Sequence, residues 1–175
     1  MNELSRDVFE GGERPFDTVD YVTVSIGEQL FGLPIASVHD VFITTTITPV
    51  PLAPPEIAGL LNLRGRVVTA VSLRRLLRLP DAPDTGELTV VGIELGGESF
   101  GLIVDNVGEV LNLPAGDRQP NPLNLDPRWA RFSRGIHWIS GGLLVVIDIE
   151  AALDHAAMSD TGRSAPLMSS RGIVS

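Results

Sequence analysis

The chain has no cysteine and no lysine among its 175 residues. Without cysteine there can be no disulfide, no thiolate nucleophile and no thiolate metal site. Without lysine there is neither a phosphate-binding loop of the Gly-Lys type nor Schiff-base chemistry. Histidine is scarce too: His39, His137 and His155 are isolated, and none stands four residues from another, so no helical metal pair exists. No apolar run approaches the roughly 18 residues of a membrane helix. The first 17 residues carry Glu3, Asp7, Glu10, Glu13 and Asp17 against Arg6 and Arg14, unlike a signal peptide. These absences predict a cytoplasmic protein without direct membrane insertion, and no cofactor or metal.

Charge narrows the partners. A net charge of −9 opposes binding to nucleic acid. The distribution is uneven, however. No acid lies between Glu56 and Asp81, while Arg64, Arg66, Arg74, Arg75 and Arg78 all do. At 43% hydrophobic, a chain of this length buries one ordinary core or two small linked ones.

What the sequence does contain is a repeat. Phe31-Gly32-Leu33 returns 69 residues later as Phe100-Gly101-Leu102, Val38 as Val107, Asp40 as Glu109 and Val41 as Val110. At a shift of 76, Gly59 falls on Gly135, Gly65 on Gly141, Val71 on Ile147, Leu73 on Ile149 and Leu77 on Leu153. Two collinear matches mean two copies of one unit, the second with a longer middle, Pro114 to Arg134.

Within each unit, short β-branched runs end at turn residues, which predicts strands. Asp20 to Ile26 and Leu30 to Ile35 form a hairpin about Gly27-Glu28, and Leu88 to Leu95 and Ser99 to Val104 form another about Gly96-Gly97. Val38 to Ile43 reads as extended or briefly helical, and Asp105 to Leu113 corresponds to it. Pro54-Pro55 opens a short helix over Glu56 to Leu61. Val67 to Leu73 and Leu143 to Ile149 are strands, followed by short helices at Arg74 to Leu79 and Glu150 to His155. Trp129 and Phe132 pin the loop-rich Pro114–Arg134 segment to the body. Residues 1–18 read as a disordered acidic arm and 156–175 as a flexible tail. About five strands per copy suit small closed barrels, one over 19–80 and the other over 86–155, because closure removes exposed edges.

Chemistry is hard to find. No Gly-x-Ser-x-Gly elbow exists, and the Gly-Gly pairs lack the context of a dinucleotide site. A Ser/His/Asp set through Asp148 and His155 would demand geometry that nothing in the spacing supports. The surface is more informative. On an extended strand Val38 shares a face with Asp40, and Val107 with Glu109. Each acid is then either the solvated edge of a packed face or the rim of an apolar patch that receives a partner. Arg64 reads in two ways as well: a solvated residue, within a stretch to Arg78 that could be one helix face, or a planar guanidinium for carboxylates.

The longest element is Pro51-x-x-Pro54-x-x-Ile57-x-Gly59-x-x-Asn62-Leu63-Arg64-Gly65-x-Val67-Val68. With it stand Phe31-Gly32-Leu33-Pro34-Ile35, Val38-x-Asp40-Val41, Phe100 to Val110 and the Leu143–Ile149 run ending through Asp148. Together, over Val19 to Leu153, they resemble the CheW-like domain family of bacterial chemotaxis coupling proteins. The resemblance implies a mainly β fold of two intertwined five-stranded SH3-like barrels with short helices. It implies a non-enzymatic adaptor with two partners: a CheA-type histidine kinase and the cytoplasmic tip of a methyl-accepting chemoreceptor. It places Val38, Asp40, Val107 and Val110 toward a groove between barrels, with Arg64 nearby. Leu60, Asn62, Leu63 and Arg64 become part of a contact surface for kinase or receptor.

Two positions depart from the family pattern. Asp40 stands where Glu is usual, and Ser72 where an Asp is usual, which removes a local hydrogen-bond or ion-pair partner that the second copy keeps as Asp148. Two other readings stay open: a similar scaffold for a non-motility kinase, and a small-molecule or hydrolytic site in the groove built on His137, Trp138 and Asp148.

Overall fold

The computed structural model describes residues 17–83 and 85–156. Most of the predicted acidic arm and flexible tail lies outside that range. The boundary residues that are described belong to the body: Thr18 begins a strand, and Ala156 is buried in the core.

Ten strands form two five-stranded sheets. They are β1 (Thr18–Ile26), β2 (Gln29–Pro34), β3 (Val38–Thr44), β4 (Ile57–Leu63), β5 (Arg66–Ser72), β6 (Leu88–Leu95), β7 (Glu98–Val104), β8 (Asn106–Pro114), β9 (Ser133–Ile139) and β10 (Gly142–Ile147). The first sheet has the order β8-β1-β2-β10-β9 and the second β3-β6-β7-β5-β4. The strands obey the two repeat shifts, β1 to β3 matching β6 to β8, and β4 and β5 matching β9 and β10.

The sheets nevertheless do not follow the division into 19–80 and 86–155. The β1–β2 hairpin leaves its own half and pairs with β8 and β10 of the other. The β6–β7 hairpin reciprocates, pairing with β3 and β5. Each barrel is thus three strands of one copy completed by the hairpin of its sister. Exchange satisfies the same ladder as local pairing would, since the copies share register, and it fuses their cores.

A second expectation fails at β4. Residues 56–61 are not helical: Ile57–Leu63 is a strand paired with β5. Gly59 explains this, because its φ of 152° has no place in a helix. Barrel closure requires that conformation. Thr48, beyond β3, exchanges both backbone hydrogen bonds with Leu60 (2.9 and 2.8 Å), and a side chain at Gly59 would collide with the Thr48 carbonyl. The sister barrel closes in the same way. Gln119 and Ile136 exchange hydrogen bonds of 2.9 and 2.8 Å beside Gly135, whose φ is 136°. The repeated glycine is therefore the seam of each barrel.

Two interiors result. One large cluster joins both sheets through Val24, Phe31 and Leu33 from the first, and Val91, Ile93 and Leu102 from the second. The one-turn helix Leu73–Leu76 and the helix over 149–156 cap it with Leu73, Leu77, Ile149 and Leu153. Phe132 is buried there, and Trp129 meets Phe31 edge-on at 5.6 Å, so the long middle segment is pinned as its aromatics suggest. A smaller cluster of Leu61, Val68, Ala70 and Val90 fills the second barrel. A bidentate pair fastens the seam: Arg74 donates to Asp105 at 2.9 and 2.7 Å, and the Gly27 N–H donates to the same carboxylate at 2.7 Å.

Candidate protein-docking site

The β4–β5 hairpin turns through Arg64 and Gly65, with φ of 52° and 84°. Two consecutive left-handed residues make the twisted two-residue turn that hairpins favour. Asn62 secures it, its Oδ1 accepting the Gly65 N–H at 3.0 Å. An arginine at the first turn position is unusual, since a left-handed Cβ costs about 1–2 kcal/mol. From this tip the Arg64 Nη2 reaches Asp40 Oδ2 at 3.0 Å; the arginine side chain is 78% exposed and the aspartate 22%.

Asp40 can lie low because its partner on β6 is Gly92. Any Cβ at that position would occupy the place of the Asp40 carboxylate. The ion pair itself stabilises the fold by about 0–1 kcal/mol, given its exposure. The strained turn therefore gains little stability from the ion pair it presents.

Val38 and Asp40 do not share a face. A bulge in the β3–β6 ladder falls between them, and an extra residue reverses the alternation. Val38 packs against the joint core, whereas Phe42, two residues beyond Asp40, packs into the second barrel. The same bulge separates Val107 from Glu109: Val107 packs against the joint core, and Glu109 is exposed.

The eight residues therefore divide. Asp40, Asn62 and Arg64 sit together at the mouth of the second barrel. Val38 and Val107 are half-buried where the two sheets meet, and Val110, on β8 of the other sheet, is 52% exposed. Leu60 carries the closure bridge, and Leu63 packs against the barrel interior, so both are half-buried structural positions. Sequence reasoning passed over Val41, 45% exposed on β3, and Ile43 and Val67 beyond it. Val41 had a signal, since the repeat pairs it with Val110. It also passed over Arg74 and Asp105, whose joining depends on exchange of the hairpins.

The enzyme reading does not assemble. His137 is buried inside the first barrel with its ring 5.6 Å from Tyr21, while Trp138 points outward, 65% exposed. Asp148 is engaged elsewhere, accepting the Ala151 N–H at 3.1 Å and lying 3.5 Å from Arg134. His155 stands 3.7 Å from Glu56, not beside Asp148. Among the described residues no group of three metal-ligating side chains gathers.

Ser72 proves conservative. Its Oγ caps the helix Leu73–Leu76 by accepting the Arg75 N–H at 3.3 Å, as Asp148 caps the equivalent turn. Serine and aspartate are comparable helix caps. The ion pair that Asp148 makes with Arg134 has no counterpart to lose, because Ala58 stands in the place of Arg134.

Two five-stranded barrels, each completed by the hairpin of its sister, define the class of β protein. The chain belongs to the CheW-like domain family, whose model matches residues 20–157. It is 27% identical over 151 residues to the chemotaxis protein CheW of Rhizobium meliloti, covering 86% of this chain and 94% of that one. It is 31% identical over 107 residues to the CheW of Bacillus subtilis, covering 61% and 69%. The crystal structure of the scaffolding protein TtCheW from Thermoanaerobacter tengcongensis superposes with a TM-score of 0.67 at 28% identity, covering 75% of this chain and 89% of the other.

Proposed function

We propose that this chain is a cytoplasmic adaptor that couples a chemoreceptor to a CheA-type histidine kinase, without doing chemistry itself. Family membership supports the class of role. The observation that carries the local assignment is the Arg64–Asp40 pair, held outward on a strained turn although it contributes little to stability. In this reading the receptor tip lies along the junction of the sheets, over Val38, Val41, Val107 and Val110, and reaches Asp40 and Arg64 at its end. The kinase docks barrel against barrel. Binding both at once raises their effective concentration, and a rigid two-barrel body carries receptor geometry to the kinase.

Reconstitution of the chain with the receptor and kinase of its own cell tests this. Asp40→Arg should keep a native circular dichroism spectrum while receptor capture falls about tenfold, as expected when a favourable charge becomes repulsive at a small interface. Native folding with intact receptor capture and intact kinase stimulation would refute the assignment of Asp40.

A further inference from the structure

The two copies differ at one place in a way that leaves a cavity. At the mouth of the second barrel the largely exposed Arg64 pairs with Asp40, whose carboxylate lies over Gly92. The repeat assigns each of these a counterpart in the first barrel: Ser140 for Arg64, Glu109 for Asp40, Thr23 for Gly92 and Trp138 for Asn62. The bulges match as well, one falling between Val107 and Val110 on β8 and the other between Val38 and Asp40 on β3. The strand pairings thus match at the two mouths, but the tip turns differ: Arg64 and Gly65 are left-handed, whereas Ser140 and Gly141 are not.

At the mouth of the first barrel, Thr23, Glu109, Leu111, Leu113, Trp138 and Ser140 line an open cavity of about 430 Å³. Thr23 occupies the space above β1 that Gly92 leaves free above β6, and its hydroxyl donates to the Glu109 carbonyl at 2.7 Å. The Glu109 side chain, one methylene longer than that of Asp40, is exposed and makes no ion pair among the described residues. Trp138 stands beside it, 65% exposed, an indole facing solvent on a molecule with few aromatics. An apolar floor, an aromatic wall and a single unpaired carboxylate at the rim select a ligand with an aliphatic stem and a cationic head. Lysine and arginine both qualify in charge. Arginine fits better, because its planar guanidinium can lie on the exposed Trp138 indole while meeting the Glu109 carboxylate.

We propose that the mouth of the first barrel is a receptacle for an arginine side chain presented by a protein partner. A second copy of this chain is a poor donor, since two molecules of net charge −9 repel and Arg64 is already held by its own Asp40. The donor is a different protein with an arginine at an exposed tip. The inference stands on the lining of this cavity, and it holds or fails independently of the kinase and receptor assignment.

The full chain titrated with N-acetyl-arginine amide, followed by the indole N–H resonances of its two tryptophans, tests the site. Trp138 should shift saturably in the millimolar range, while Trp129, packed on Phe31, serves as an unmoved internal control. Glu109→Gln should weaken binding about three- to tenfold, the span expected of an exposed ion pair beside a cation–π contact. Ser140→Arg should weaken it by placing a competing guanidinium on the cavity lining beside Glu109. Ser140 has no left-handed backbone, so the new side chain meets no strain there. N-acetyl-lysine amide should bind more weakly and N-acetyl-norleucine amide not measurably. The proposal is overturned if Trp138 fails to saturate, if norleucine amide binds as well as arginine amide, or if Ser140→Arg, with Trp129 unmoved, binds like the parent.

Discussion

Two side chains show how the copies diverged, one by burial and one by exposure. His137 occupies the barrel-interior position that Leu61 fills in the sister copy, and its Nε2 has no hydrogen-bond partner. Burial lowers its pKa below the ordinary histidine value, which outweighs the pull of Asp117. The unfolded chain therefore takes up a proton near pH 6.5 that the folded chain refuses. Stability is full above that pH and declines as pH falls toward the folded pKa. Chemical denaturation of the parent should show a falling midpoint between about pH 7 and 5. His137→Leu should remove His137's share of that slope and stabilise the protein by about 1 kcal/mol, because a buried unpaired polar atom disappears. Arg64 illustrates the opposite case. Arg64→Gly should raise stability by about 1 kcal/mol through relief of the left-handed backbone, while receptor capture declines.

At the scale of elements, closure and seam carry the specific energies. Gly59→Ala and Gly135→Ala should each cost about 2–4 kcal/mol, since both the backbone angle and the facing carbonyl oppose a Cβ. Thermal unfolding would check both, and their similarity would support the equivalence of the closures. Substitution of Gly65, with nothing within reach of its Cβ, should cost less. The Arg74–Asp105 clamp is only about one-fifth exposed, so Asp105→Asn should cost about 2 kcal/mol, the worth of a charge-assisted hydrogen bond. The Arg74 guanidinium holds the Asp105 carboxyl below its ordinary value. Its contribution is therefore complete above about pH 4 and lost only as pH falls through the depressed folded pKa. Acid titration of the parent against Asp105→Asn separates this loss from that of His137, which begins at higher pH.

For the whole molecule, exchange of hairpins makes the halves interdependent. Neither half contains a complete sheet, so residues 1–83 alone should give the collapsed amide spectrum of an unfolded chain. Mixing with 84–175 should restore dispersion. A dispersed spectrum from 1–83 alone would mean that the half can refold on its own hairpin. Long-range pairing also predicts slow folding, since loop closure precedes the contacts that reward it.

The strands, turns and doubling were legible in the amino-acid order, because alternation and turn chemistry act over a few residues and the copies share both. The long signature through Arg64 carries the family resemblance in the amino-acid order alone. The element misread, β4, shows the limit of local reasoning: Pro54-Pro55 suggests a helix start, but Gly59 and the pairing with β5 and Thr48 decide for a strand. The bulge that parts Val38 from Asp40 is equally invisible to a period-two rule. So are the Arg74–Asp105 clamp and the open cavity beside Trp138, while the intertwining of the barrels is implied by the family resemblance alone. A sequence records which segments can pair. Copies that share strand pattern and register offer each hairpin two partners of similar local quality, and burial of a joint core chooses between them.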